Sequence, residues 1–158
     1  AALSLPITLS ISLHAADDET RSSIMPVNRR YNIAALLAAC RRYFAATGRR
    51  ISFEYTLIAG KNDSPEKARE LALLLNRNLR SRTDTMPIHV NLIPVNEVRE
   101  TGFHRAGAAA VAHFAAVLEE NGVRATVRRK LGSDISAACG QLRREAADTD
   151  KTAKSGEN

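Results

Sequence analysis

Ile51-Ser52-Phe53-Glu54-Tyr55-Thr56-Leu57-Ile58 (ISFEYTLI, residues 51–58), followed closely by Asn62-Asp63-Ser64-Pro65, decides the reading of the fold. The first stretch is rich in β-branched and aromatic residues and predicts a strand. The second sets a capping side chain ahead of a proline in the first helical turn, and Leu71, Leu74 and Leu75 continue that helix. The same strand-then-helix pairing recurs on both sides. Upstream, Ile7 to Leu13 (ITLSISL) alternates apolar and small polar residues like a half-buried strand. Ile33 to Ala46 then carries Leu36, Leu37, Cys40, Tyr43 and Phe44 at helical spacing, with Gly48 as a stop. Downstream, His89 to Val95 (HVNLIPV) predicts a third strand. Ala106 to Asn121 predicts a helix with Val111, Phe114, Ala115 and Leu118 on one face and Gly122 at its end, and Val123 to Arg129 a fourth strand. Asn78 to Pro87 reads as a polar surface loop, and Leu131 to Ala147 as a loop that ends in a helix.

Strand starts near 7, 51, 88 and 123, with a helix in each gap, require parallel strands joined by right-handed crossovers. The expected class is α/β. About four βα units make a partial (βα) barrel of parallel strands, half of an eight-fold one, with an open doubly wound sheet as the alternative. In either arrangement reactive groups gather at the carboxyl ends of the strands. Those ends are Ser12-Leu13-His14, Leu57 to Gly60, Pro94-Val95-Asn96 and Arg129 to Gly132. Residues 1–147 are expected to form one domain, and 148–158 a polar, disordered tail.

Composition narrows the partners. The chain has 158 residues, 44% of them hydrophobic and 25% charged, which supplies a core and argues against wholesale disorder. No apolar run reaches the roughly 18 residues of a membrane span. The apolar start, Ala1 to Ala16, lacks the basic flank of a signal peptide and reads better as a strand. There is no initiator Met, so the chain is expected to start inside a longer protein. Lys and Arg number 23 against 17 Asp and Glu, a net charge of +6 that favours polyanions through phosphate contacts. Aromatics are 4% with no Trp, which weakens any base-stacking platform. The two cysteines, Cys40 and Cys139, form no disulfide framework or zinc pattern, and a cytoplasmic location is expected.

No dinucleotide loop, P-loop, HExxH or nucleophile elbow is present. The four histidines, at 14, 89, 104 and 113, are scattered, so no metal site is expected from them. His14 lies just past a strand end beside Asp17, Asp18 and Glu19; it is either a plain loop residue or a donor at a pocket edge. Asn96 ends the third strand, as a turn former or as an amide that reads a purine edge. Cys40 falls on the apolar face of a helix and reads as a small buried hydrophobe. Cys139 is crowded by small residues (Ser136-Ala137-Ala138 before it, Gly140 after), which leaves room for a bound molecule, and Arg128, Arg129 and Lys130 favour a thiolate. Of the recurrent arginine pairs, Arg29-Arg30 and Arg128-Arg129 lie in or near strand-end loops and are the better candidates for phosphate contact.

Four stretches in order, SLHAADDETRSSIMPVNRRY (12–31), TGRRISFEYTLIAGKNDSPEKA (47–68), HVNLIPVN (89–96) and DISAACGQLR (134–143), resemble the second half of the radical S-adenosylmethionine (SAM) methyltransferases that modify an adenine of 23S ribosomal RNA. The resemblance covers about residues 5 to 145. It implies a partial βα barrel, SAM held by Ser12, Leu13, His14 and Asn96, and Cys139 as a cysteine methylated during catalysis. It also implies ribosomal RNA as substrate, with transfer RNA as a further candidate. Carbon 2 of adenine is electron-poor and carries no acidic proton, so a radical route is needed there. In the family's scheme the methylated thiol loses a hydrogen to a radical made from a second SAM at a 4Fe–4S cluster, and the carbon radical adds to the ring. RRISFEY and LIPVN lean towards the carbon 2 enzymes, and GSDIS before Cys139 towards the antibiotic-resistance subgroup that methylates carbon 8.

The family's CxxxCxxC cluster motif is absent, and two cysteines cannot supply three ligands and a methyl carrier. Cys40 does not match the family's second reactive cysteine either. The expected partner is therefore the missing N-terminal half of the same enzyme, and the isolated chain is expected to be inactive. A non-catalytic basic RNA-binding βα domain is the competing reading. Anaerobic reconstitution of the isolated chain with iron and sulfide should leave no stoichiometric thiol-ligated iron, by metal analysis and visible absorption; stoichiometric uptake would contradict this accounting.

Overall fold

The computed structural model describes residues 8–80, 86–95 and 102–128, all within one compact unit, Ala1–Arg128. Four strands, β1 (Leu9–Ser12), β2 (Ile51–Leu57), β3 (Ile88–Pro94) and β4 (Arg124–Val127), form one sheet in the order β1-β2-β3-β4. All three pairings are parallel, with Leu9 opposite Ile51, Ile51 opposite Ile88 and His89 opposite Arg124. A strictly sequential order decides between the two expected architectures. With crossovers of one hand, every helix falls on the same face, as in a barrel, whereas a doubly wound sheet reverses order part-way. The long helices α2 (Ile33–Thr47), α3 (Pro65–Leu79) and α4 (Ala108–Glu120) pack side by side, α2 on α3 and α3 on α4.

Helix boundaries follow local chemistry. Asn32 caps α2 by accepting the Ala35 N–H, and Gly48 ends it in the left-handed conformation (φ 64°), which a glycine adopts without steric cost. Ser64 caps α3 through the Lys67 N–H, with Pro65 in the first turn. α3 runs to Leu79, so Asn78 and Leu79 are helical rather than part of the expected polar loop; Leu79 is buried and anchors the last turn. The sequence reading assigned no helix between β1 and α2. The structure has α1 (Asp18–Ile24) and a 3₁₀ turn (Pro26–Arg29) there. α1 has one apolar residue in seven, so it carries no periodic signal. Asp17 capping Thr20, and Asp18 and Glu19 in the first turn, specify it instead.

The sheet divides its residues cleanly. Ile51, Phe53, Tyr55 and Leu57 of β2 and Ile88, Val90 and Leu92 of β3 are buried in the core cluster that the helices complete. Ser52, Glu54, Thr56, His89, Asn91 and Ile93 alternate with them and are half-buried on the other, largely polar face. Cys40 is buried on α2 beside this core, and burial pushes its thiol pKa up, as expected of a small hydrophobe. Tyr55 and Phe114 meet ring to ring at the centre, 5.1 Å between centroids. Phe114→Ala should destabilise the chain by about 3–5 kcal/mol through lost burial and an unfilled cavity, with the midpoint of denaturant unfolding as the measurement.

Candidate functional site at the carboxyl ends of the strands

Ser12, Leu13 and His14 stand where β1 leaves the sheet. The N–H groups of Leu13 and His14 both donate to the Glu54 carbonyl in the middle of β2, at 3.0 and 3.2 Å, which ends the regular pairing of β1 with β2. His14 then takes φ 62°, the one non-glycine residue in the left-handed region among the described residues. That conformation costs a histidine on the order of 1 kcal/mol and persists only where the surroundings enforce it.

Two buried side chains enforce it. Arg21, 3% exposed, reaches back from α1 and donates through Nε to the Leu13 carbonyl (3.0 Å) and through Nη2 to the Ser12 carbonyl (3.1 Å). Its Nη1 donates to Asn28 Oδ1 (2.6 Å) and to the Tyr31 carbonyl (3.1 Å). Asn62, fully buried, donates through Nδ2 to the carbonyls of His14 (2.9 Å) and Thr56 (2.7 Å) and accepts the Ile58 N–H at Oδ1 (2.8 Å). The Tyr55 hydroxyl donates to the Asn62 carbonyl. All three carbonyls of the Ser-Leu-His segment are thus held by protein side chains.

The His14 ring is fixed in the same way. Its Nδ1 accepts the Thr56 N–H at 3.1 Å, which places the ring hydrogen on Nε2. Burial, and then the charge of Arg21, lower its pKa from 6.5 to about 4. The ring is neutral at physiological pH, and Nε2–H has no hydrogen-bond partner among the described residues. It is a pre-aimed neutral donor, suited to a ring nitrogen or carbonyl oxygen of a ligand. The neighbouring acids do not touch it: Asp17 caps α1 and pairs with Lys67 at 3.0 Å, and Asp18 accepts the Ile33 N–H.

Of the two arginine pairs, Arg29 and Arg30 are exposed next to Tyr31, with the Arg30 guanidinium 5.4 Å from the Tyr31 ring centre. Tyr31 is tied to Ser12 through Arg21, so this basic pair belongs to the same edge as His14. Arg128 is exposed just past β4, its N–H donating to the Leu92 carbonyl, at the carboxyl edge three strands over. Asn96, Arg129 and Cys139 lie outside the described residues, as do the segments 131–147 and 148–158. Among the described residues no cluster of His, Cys, Asp and Glu is arranged to hold a metal ion, and no helix is long and apolar enough to cross a membrane. Sequence reading missed Arg21, Asn28 and Asn62. In the sequence Asn62 belongs to a helix-start pattern, and an arginine in a polar run gives no sign of burial.

No family model matches the chain. Individual proteins do. A probable dual-specificity RNA methyltransferase RlmN of Desulforamulus reducens is 52% identical over 140 residues, 89% of this chain and 38% of that protein. The protein of the same name from Roseiflexus sp. is 54% identical over 141 residues, 87% of this chain and 35% of its own length. Over most of its length the chain is thus similar to dual-specificity RNA methyltransferases. It spans well under half the length of these relatives, matching their C-terminal part. The crystal structure of a radical SAM methyltransferase from Sphaerobacter thermophilus superposes with a TM-score of 0.76 at 48% identity, over 89% of this chain and 40% of that one. A domain of a pyruvate-formate lyase-activating enzyme from Bacteroides vulgatus shares the fold alone, with a TM-score of 0.60 at 19% identity. The architecture is therefore the partial barrel expected from the strand order.

His14 ties this site to pH. Its folded pKa, about 4, lies below the ordinary 6.5, so the unfolded chain binds the proton first as pH falls. The stability from keeping His14 neutral is complete above pH 6.5 and is lost as pH falls towards 4. It amounts to on the order of 2 kcal/mol once screening of a partly exposed ring is allowed for. Chemical denaturation across this window should show a shallower decline in His14→Gln than in the unaltered chain. An NMR titration should show the His14 pKa rising in Arg21→Gln; an unchanged value would remove Arg21 as a cause.

Proposed function

We propose that this chain is the C-terminal part of a cytoplasmic radical SAM enzyme that methylates carbon 2 of an adenine in 23S ribosomal RNA, with transfer RNA as a further substrate. The observation that carries this reading is the 52% identity over 140 residues with a probable dual-specificity RNA methyltransferase. The clamped β1 end supports it independently. A neutral Nε2–H donor, beside backbone whose carbonyls are already satisfied, fits a ligand rich in acceptors such as an adenosine. Ser12, Leu13 and His14, joined by Asn96, would hold SAM, which when bound supplies the methyl group and the source of the radical. Cys139 would carry the methyl as a thioether, its thiolate favoured by the neighbouring basic residues. Arg29, Arg30, Arg128 and Arg129 would grip substrate phosphates at the same edge.

The 4Fe–4S cluster does not fit the described residues. Cys40 is 2% exposed on α2, with its thiol pKa raised by burial, the opposite of what an iron ligand needs. The reading therefore assigns the cluster to the remainder of the enzyme.

Peptide mass spectrometry of the complete enzyme purified from cells should find a methyl on Cys139 and none on Cys40. Cys139→Ala should abolish RNA methylation, whereas Cys40→Ala should cost stability by about 1 kcal/mol. Chromatography of digested RNA should return 2-methyladenosine; 8-methyladenosine would move the protein to the carbon 8 subgroup. A methyl on Cys40, or full activity in Cys139→Ala, would end the carrier assignment.

A further inference from the structure

The opposite edge of the sheet, where the strands begin, carries a second concentration of positive charge. Arg50 immediately precedes β2, Arg124 opens β4, and Arg80 follows the last turn of α3. With His89, Ile88 and Gly122 they line a cavity of about 380 Å³. At roughly 3.3 Å per residue, the seven residues of β2 separate this edge from the His14 edge by about 20 Å, so the two are distinct places on the molecule.

The amino edge of a βα barrel is ordinarily structural, but three features here go beyond that. First, none of the three arginines forms an ion pair among the described residues, where the pairs are Lys67–Asp17, Lys67–Glu70 and Arg69–Glu66. The nearby acid, Glu119, is engaged in accepting the Ala125 N–H at 2.7 Å. Second, Arg80 is held in place by donation from Nη2 to the Gly122 carbonyl at 2.7 Å, yet its Nε is buried with no partner among the described residues. A buried guanidinium N–H without an acceptor is costly, and an incoming anion would relieve it. Third, that guanidinium packs against Gly122 (φ 73°), where a Cβ would lie in van der Waals contact with Arg80 Nη1, at 3.4 Å.

His89 completes the floor without adding charge. Its ring bridges Ser52 Oγ (Nδ1, 3.0 Å) and Thr126 Oγ1 (Nε2, 3.1 Å). Burial and the charge of Arg50 lower its pKa, and Glu119 opposes them. Three guanidinium groups around one concavity, that of Arg80 held by the Gly122 carbonyl, suit an oxyanion with several acceptor oxygens, and the fork geometry of arginine suits phosphate. The cavity is roomier than a bare phosphate group needs, which leaves space for an attached sugar.

We propose that this amino-edge cavity binds a backbone phosphate of RNA, as a second grip separate from the His14 edge. The phosphate site does not rest on the methyltransferase reading, and its failure would leave that reading intact; the choice of RNA as its occupant does rest on it. The test uses the 158-residue chain with inorganic phosphate and a short RNA hairpin as probes, followed by NMR of the arginine Nε–H and histidine ring signals. Phosphate should move the Arg80 Nε–H and His89 signals, and the hairpin should displace it. Replacing the exposed Arg50 and Arg124 by Gln should weaken hairpin binding several-fold and flatten the slope of log affinity against log salt by about 1–2, while amide dispersion stays native. Arg80 Nε–H signals unmoved by either probe would overturn the site. Phosphate binding that the hairpin does not displace from the unaltered chain, with hairpin affinity unchanged in the Arg50→Gln/Arg124→Gln chain, would overturn the RNA assignment in favour of a small phosphorylated ligand.

Discussion

A parallel strand that leaves its sheet to start a crossover exposes carbonyl groups that the ladder no longer satisfies, and burying them unpaired would cost more than most single contacts return. At the end of β1 this constraint is met by side chains. The Arg21 guanidinium takes the carbonyls of Ser12 and Leu13, and the Asn62 amide takes that of His14. Each residue also secures a second segment. Arg21 fixes Asn28 and Tyr31, which sets the path into α2, and Asn62 fixes Thr56 and Ile58, which sets the path out of β2. The turn geometry of two crossovers therefore converges on the residues that surround His14.

The sequential strand order extends the same logic across the sheet. Because the helices occupy one face, the other carries residues that need no apolar partner. Ser12, Glu54, Asn91 and Thr126 share one row across all four strands, and Ser10, Ser52, His89 and Arg124 the row before it. Such polar rows would be expensive in a two-layer core, but they suit a concave wall that faces water or a ligand.

Much of the fold was legible because it follows from periodicity. The alternation in ISFEYTLI reappears as alternating burial along β2, and the cap-proline pair at Ser64-Pro65 starts α3 where expected. What escaped reading was specified by geometry. α1 is too short and too polar for an apolar stripe, and Leu79 joins its helix because the core reaches that far. Ser12, Leu13 and His14 could be assigned to a strand end from the pattern, and to SAM from the resemblance. The left-handed turn at His14 and the burial of Arg21 depend on residues eight to forty-eight positions apart, which no local window combines.

The backbone at His14 has a further consequence. A left-handed position is one that glycine fills at no steric cost and asparagine at little. A library of variants at this position, sorted for thermal stability alone, would enrich residues that relax the turn and discard the imidazole. On the proposed ligand-binding role of His14, a library sorted for ligand capture would do the reverse. On that role, position 14 is a place where selection for robustness and selection for activity pull apart, and a thermostabilised derivative of this chain should be built around an unaltered His14.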